Sequence, residues 1–143
     1  MTATPANAYL RTKILTASPA ELRMMLLDGA VRFADSARSA LLEKNYEKLF
    51  ENATRCQDIL MELLTSLRPD QSPELCQRLS ALYTFLYRRM VEGTTTRDVA
   101  ILEEVIRLLR FEQETWRMLL DQLNGGGKGD ATGGESRLTV QAL

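Results

Sequence analysis

Apolar residues return every three or four positions along four long stretches of this chain, and proline, glycine and short polar runs separate those stretches. The first opens at Thr16-Ala17-Ser18-Pro19-Ala20-Glu21, an N-terminal helix signature. Ser18 can accept from the Glu21 backbone N–H while the Glu21 carboxylate reaches back to the Ser18 N–H, and Pro19 sits where its missing donor costs nothing. Helix 1 is therefore expected from residue 19 to about Glu43. Its stripe reads Leu22, Met25, Leu26, Gly29, Phe33, Ala37, Ala40 and Leu41, with a second row of Met24, Leu27, Val31 and Ala34. Two rows are more apolar surface than one seam needs, so this helix is either central or presents an additional binding face.

Asn45 suits the N-cap of helix 2, which carries Leu49, Ala53, Cys56, Leu60, Leu63 and Leu67 at alternating steps of four and three. A turn over Arg68 to Ser72 follows, and Ser72-Pro73 repeats the cap-then-proline start. Helix 3 places Leu75, Leu79, Leu82, Leu86 and Met90 in a stripe, with Tyr83, Phe85 and Tyr87 as an aromatic flank, and is expected to end near Gly93. Thr94, Thr95 and Thr96 favour a cap over a helix interior. Helix 4 then runs from near Arg97 to Leu123 with Val99, Leu102, Ile106, Leu109, Trp116, Leu120 and Leu123, interrupted by Gln113. Ile101, Val105, Leu108 and Leu119 add a second row.

Short links force antiparallel neighbours, so the expected fold is all-α: an up-down-up-down four-helix bundle over residues 19–123. Residues 1–18 read as a short mobile N-terminal segment, in which Tyr9 to Leu15 form one or two loosely attached helical turns. Residues 124–143 hold six glycines and read as a disordered tail.

Composition narrows the chemistry. The 143 residues suffice for one core, and 45% hydrophobic with 26% charged residues fits a soluble globular chain. With 18 Lys+Arg against 19 Asp+Glu, no basic field draws a phosphate backbone, so nucleic acid is not expected as partner. The chain has no histidine, which removes Ser-His and Cys-His nucleophile systems, imidazole metal ligands and the di-metal sites of helical bundles. No metal and no cofactor are expected. Cys56 and Cys76 read as small buried hydrophobes in a reducing compartment. The start MTATPANAYL lacks the features of a secretory signal, and no stretch approaches about 18 apolar residues, so a cytoplasmic protein without membrane insertion is expected.

Other motifs read blandly. Glu103 and Glu104 point about 100° apart on a helix and form a solvated face rather than an acid/base pair. Asp28 and Arg32, four apart, suggest a surface ion pair within one helix. The glycines around Lys128 lack the order of a phosphate-binding loop, and Asn52-Ala53-Thr54 lies inside a helix. What remains is apolar surface in excess, including the re-packable Met24, Met25, Met61, Met90 and Met118. The chain reads as a binding module before an enzyme.

The run YLRTKILTASPAELRMMLLDGAVRFADSA, Tyr9 to Ala37, resembles the signature of the flagellar secretion chaperone FliS family. The shared pattern is a tyrosine, a short spacer, Thr16-Ala17-Ser18-Pro19, then Met25-Leu26 and Asp28-Gly29-Ala30 with Arg32. Asn45-Tyr46-Glu47, Tyr87-Arg88-Arg89-Met90 and Ile101-Leu102-Glu103-Glu104-Val105 extend the likeness towards Trp116. Leu27 stands where the family usually has an aromatic, and Gly93 with three threonines replaces an Ala-Asn step.

The resemblance implies a cytosolic export chaperone that binds the disordered C-terminal segment of flagellin, preventing premature polymerisation and keeping it fit for flagellar type III secretion. Other flagellar regulatory or export proteins are further candidates as partners. A disordered amphipathic segment can fold onto apolar grooves of a bundle. On that account Leu22, Met25, Leu26 and Gly29 form part of the groove wall, and Tyr9, Leu10, Ile14 and Leu15 form an N-terminal cover that the client displaces. The competing reading of those helix 1 residues is ordinary core. For the whole chain, the alternative is a self-associating structural bundle or adaptor without a flagellin client.

Overall fold

The computed structural model describes residues 5–125, in which all regular structure is helical. Five helices follow one another: α1 (Pro5–Thr16), α2 (Pro19–Leu42), α3 (Tyr46–Thr65), α4 (Pro73–Thr95) and α5 (Val99–Gly125). The stretch expected to hold one or two N-terminal turns is a 12-residue helix, and none of its residues is buried. The five glycines and everything else beyond Gly125 in the expected tail lie outside the described residues, as do residues 1–4.

Helices α2 and α4 each pack against both α3 and α5. Contacts across α2 and α3 join Arg23 to Ser66 and Phe33 to Arg55, so residue numbers rise along one helix as they fall along the other. The same opposed order joins Asp28 to Gln113 and Asp35 to Arg110 across α2 and α5, and Tyr83 to Glu112 and Arg89 to Glu104 across α4 and α5.

The starts and stops follow local chemistry. Ser18 Oγ accepts from the Glu21 N–H at 3.2 Å, but the Glu21 carboxylate meets the Ser18 hydroxyl at 3.1 Å instead of reaching the backbone. Asn45 accepts from the Lys48 N–H as expected. Ser72 holds the N-cap position without its side chain making a capping bond, leaving Pro73 to set the α4 start.

The α2–α3 and α4–α5 turns share one construction. Lys44 and Arg97 adopt left-handed φ values of 58° and 53°. Asn45 N–H bonds to Ala40 O and Lys44 N–H to Leu41 O, and Asp98 N–H to Gly93 O and Arg97 N–H to Thr94 O. Each is a Schellman stop, and each next residue, Asn45 or Asp98, caps the following helix. The expectation that helix 3 ends at Gly93 is thereby corrected. The helix continues through Thr95, and Gly93 is there for packing: a Cβ on it would lie 2.9 Å from Ile101 Cγ2.

The core collects Leu27, Leu49, Leu60, Leu63, Leu86, Met90, Leu102 and Leu109, all essentially inaccessible, and each such side chain contributes about 2 kcal/mol of transfer free energy. On α2 the buried seam is Ala20, Arg23, Leu27, Ala30, Ala34, Ala37 and Leu41. The first half is rotated from the stripe expected through Leu22, Met25 and Leu26, because alanines let neighbouring helices approach and the bulkier side chains fall on the flanks. Tyr83, expected on an aromatic flank, lies in the core, whereas Phe85 is exposed. Cys56 and Cys76 are buried, and burial pushes the Cys56 thiol up to about 12.

Candidate functional site

The flank of α2 that meets α3 is built by residues three and four apart. Leu22, Met25 and Leu26 are half-buried, and Leu26 and Phe33 lie against the core. Gly29 is buried facing α3: a Cβ there would stand 3.1 Å from Ile59 Cδ1. Beyond it the Arg55 guanidinium lies over the Phe33 ring at 5.6 Å. The four residues expected to form a groove wall therefore share one flank, three half-buried and one at the helix–helix contact.

The four cover residues lie on α1, which joins this helix through Ala17 and Ser18 alone. Tyr9 is 68% exposed and Leu15 75%, with Leu10 and Ile14 about half exposed. Their apolar surface is open in this arrangement. Two shallow surface hollows of about 430 and 440 Å³ lie elsewhere, along the C-terminal half of α2. Polar and ion-paired side chains such as Asp35, Arg38, Glu103 and Arg110 line them, and none of the eight named residues does.

Sequence reasoning missed a buried polar network. Arg23 is 2% exposed and donates from Nη1 to Tyr83 Oη at 3.3 Å, and from Nη2 to Leu63 O at 3.1 Å and Ser66 Oγ at 2.8 Å. Tyr83 Oη donates to Glu112 Oε1 at 3.3 Å, and Trp116 Nε1 donates to the same oxygen at 2.7 Å. The Leu63 carbonyl is among the last four of α3, so the guanidinium also neutralises that helix's negative end. Burial, reinforced by the Glu112 carboxylate, raises the Tyr83 phenol well above its usual range and keeps it a hydroxyl donor. The available signal was a charge inside an apolar stripe: Arg23 stands in step with Ala20 and Leu27, and Glu112 with Leu109 and Trp116.

Glu103 and Glu104 are each engaged across a helix interface, with Arg38 at 3.7 Å and Arg89 at 3.0 Å. Among the described residues no group of three acidic or thiol side chains could hold a metal, and no helix is long and apolar enough to cross a membrane. The described residues form an all-helical protein whose helices are joined by an apolar seam, with half-buried apolar side chains on the flanks and a buried polar network inside.

The family profile described as "Flagellar protein FliS" matches residues 1–123. The flagellar secretion chaperone FliS of Bacillus subtilis (strain 168) is 30% identical over 116 residues, covering 81% of this chain and 86% of that protein. Those of Escherichia coli (strain K12) and Salmonella typhimurium (strain LT2) are 27% and 28% identical, covering 78% and 80% of this chain and 83% and 85% of theirs. The chain belongs to the FliS family of flagellar secretion chaperones.

Proposed function

We propose that this chain binds the C-terminal segment of flagellin in the cytoplasm, holds it unpolymerised and delivers it fit for flagellar export, without enzymatic activity of its own. Residues 19–123 act as an up-down-up-down four-helix bundle, with residues 1–18 as a movable segment and 124–143 as a tail. The observation that carries the reading is the row of half-buried apolar side chains, Leu22, Met25 and Leu26, on one flank of α2 in a member of this chaperone family. Half-buried apolar groups are the ones a client can finish burying, at about 25 cal/mol per Å² covered. Gly29 keeps α2 and α3 close beneath that row, and Tyr9, Leu10, Ile14 and Leu15 form a cover that competes with the client.

Calorimetry with a synthetic flagellin C-terminal peptide tests the reading: saturable binding is expected, and its absence refutes it. A folded Leu22→Asp, Leu26→Asp variant is expected to lose binding, and a variant lacking α1 to bind more tightly. Unchanged affinities would remove the groove and the cover respectively.

A second reading, self-association, draws on Phe111 and Met118, seven residues apart on α5 and 73% and 63% exposed. Light scattering separates the two: a concentration-dependent dimer without peptide binding favours the second.

A further inference from the structure

The network around Arg23 reaches every helix of the bundled region. Arg23 belongs to α2, Leu63 O closes α3 and Ser66 follows it, Tyr83 belongs to α4, and Glu112 and Trp116 to α5. Its place along α2 matters: Arg23 lies between Leu22 and Met24, one turn or less from Met25 and Leu26. The side chain that points into the core at this level is a charged fork with fixed hydrogen-bond geometry, whereas the outward flank is the row proposed to receive the client. An apolar core contact tolerates sliding and rotation; a guanidinium tied to a carbonyl, two hydroxyls and, through Tyr83, a carboxylate does not.

Stability alone is a poor reason for such a group. Burying a guanidinium and a carboxylate costs more than their attraction returns unless every bond is made, and Arg23 Nε is buried without a partner. Specifying one helix arrangement is the better-supported use of a buried charged network.

We propose that Arg23, Tyr83 and Glu112 are positioning residues for client binding: they hold the N-terminal half of α2 at one rotation and height, so that Leu22, Met25 and Leu26 are preorganised as a row. This rests on the function proposed above. Losing the lock leaves the groove side chains intact but makes the client bear the cost of ordering them, which lowers affinity without removing a contact. Trp116, the sole tryptophan of the chain, donates to Glu112 and reports on the state of the network.

The test compares Tyr83→Phe, which deletes only the bridging hydroxyl, with Leu49→Ala, a core truncation at the far end of the bundled helices that lowers stability without touching the network. Both are measured well below their unfolding temperatures, so that each is folded. Tyr83→Phe is expected to weaken binding of the flagellin C-terminal peptide about tenfold, the scale of one buried hydrogen bond, to speed amide exchange selectively over residues 22–29 and to shift Trp116 emission. Leu49→Ala is expected to bind as the wild type does. Equal affinities for all three proteins, or equal losses in both variants, would overturn the proposal. Should the wild-type protein fail to bind the peptide, the flagellin reading falls, while the exchange comparison still decides the positioning role: no selective acceleration over residues 22–29 in Tyr83→Phe would sink it.

Discussion

Gln113 on α5 donates its side-chain N–H to the Asp28 carboxylate on α2 across 2.7 Å. That single bond accounts for two irregularities of the sequence: a polar residue where the helix 4 stripe calls for an apolar one, and the acid of the Asp28-Gly29-Ala30 motif. The expected pairing of Asp28 with Arg32 along one helix is replaced by a pairing between helices, and the Arg32 guanidinium lies beside the Phe33 ring, 5.4 Å from its centroid. Because the pair is partly buried, removing one partner strands the other. Gln113→Leu is expected to cost about 1–2 kcal/mol, and the double variant Asp28→Leu, Gln113→Leu less than the sum of the single changes. Urea unfolding of the three proteins checks this; additive losses would mean the bond contributes no coupling.

The two Schellman stops should respond differently to glycine. Lys44 holds a left-handed backbone with no compensating contact of its ammonium in the turn, so Lys44→Gly is expected to raise stability by about 1 kcal/mol. Arg97 holds the same backbone conformation but stacks its guanidinium 3.6 Å from the Tyr46 ring centroid, which ties the α4–α5 turn to the start of α3. Arg97→Gly relieves the backbone and loses roughly 0.5–2 kcal/mol of cation–π attraction, for a net change near zero. Paired thermal melts distinguish them, and an equal gain at both sites would dismiss the stacking.

Gly93 is fixed by its neighbours on α5. A methyl group there would lie 2.9 and 3.2 Å from Ile101 and 3.0 Å from Leu102 Cδ2, so Gly93→Ala is expected to destabilise by about 1–3 kcal/mol despite alanine's better helix propensity. Ile101→Ala removes the crowding Cγ2 and should recover part of the loss in the Gly93→Ala background. At Gly29 the nearest atom is the tip of Ile59 at 3.1 Å, a flexible terminus that can give way, with Arg32 Nη2 at 3.8 Å, so Gly29→Ala is expected to cost less than Gly93→Ala. Chemical denaturation ranks the two sites; a Gly93→Ala protein as stable as the wild type would contradict the packing account.

The four long helices were legible because their stripes, caps and prolines agree: α2 begins at Pro19 and α3 after Asn45, as the sequence predicts. The rotation of α2 was not, because the first half of the expected stripe followed large residues, whereas the interior selects Ala20, Ala30 and Ala34 for close approach. The same choice hid Arg23, which fits the alanine seam and not the bulky one. Helix α4 overran its expected end because a glycine was taken as a stop, although the left-handed residue that ends the helix is Arg97. The flank of Leu22, Met25 and Leu26 was named from the family likeness, since periodicity alone does not separate a core row from a row left half-covered. Phe111, 73% exposed on α5, went unremarked because it falls between stripes.

Alkaline pH should weaken this fold in a way traceable to two buried acids. Cys56 is raised by burial from its ordinary 9.0 to about 12, and the Tyr83 phenol is raised chiefly by burial and further by Glu112. In both cases the folded chain keeps its proton where the unfolded chain gives it up. Their contribution is therefore complete below about pH 9 and declines as pH rises through the folded-state value, for Cys56 between about 9 and about 12, by up to about 1.4 kcal/mol per pH unit for each group. The diagnostic quantity is a difference between proteins. Cys56→Ala is expected to lose stability at every pH through the small cavity it leaves, but to fall less steeply than the wild type above pH 9, and Tyr83→Phe likewise above its ordinary 10.0. Urea midpoints for the three proteins across that window decide the matter. Parallel curves would mean that the thiol and the phenol reach water in the folded state, against their burial in the core.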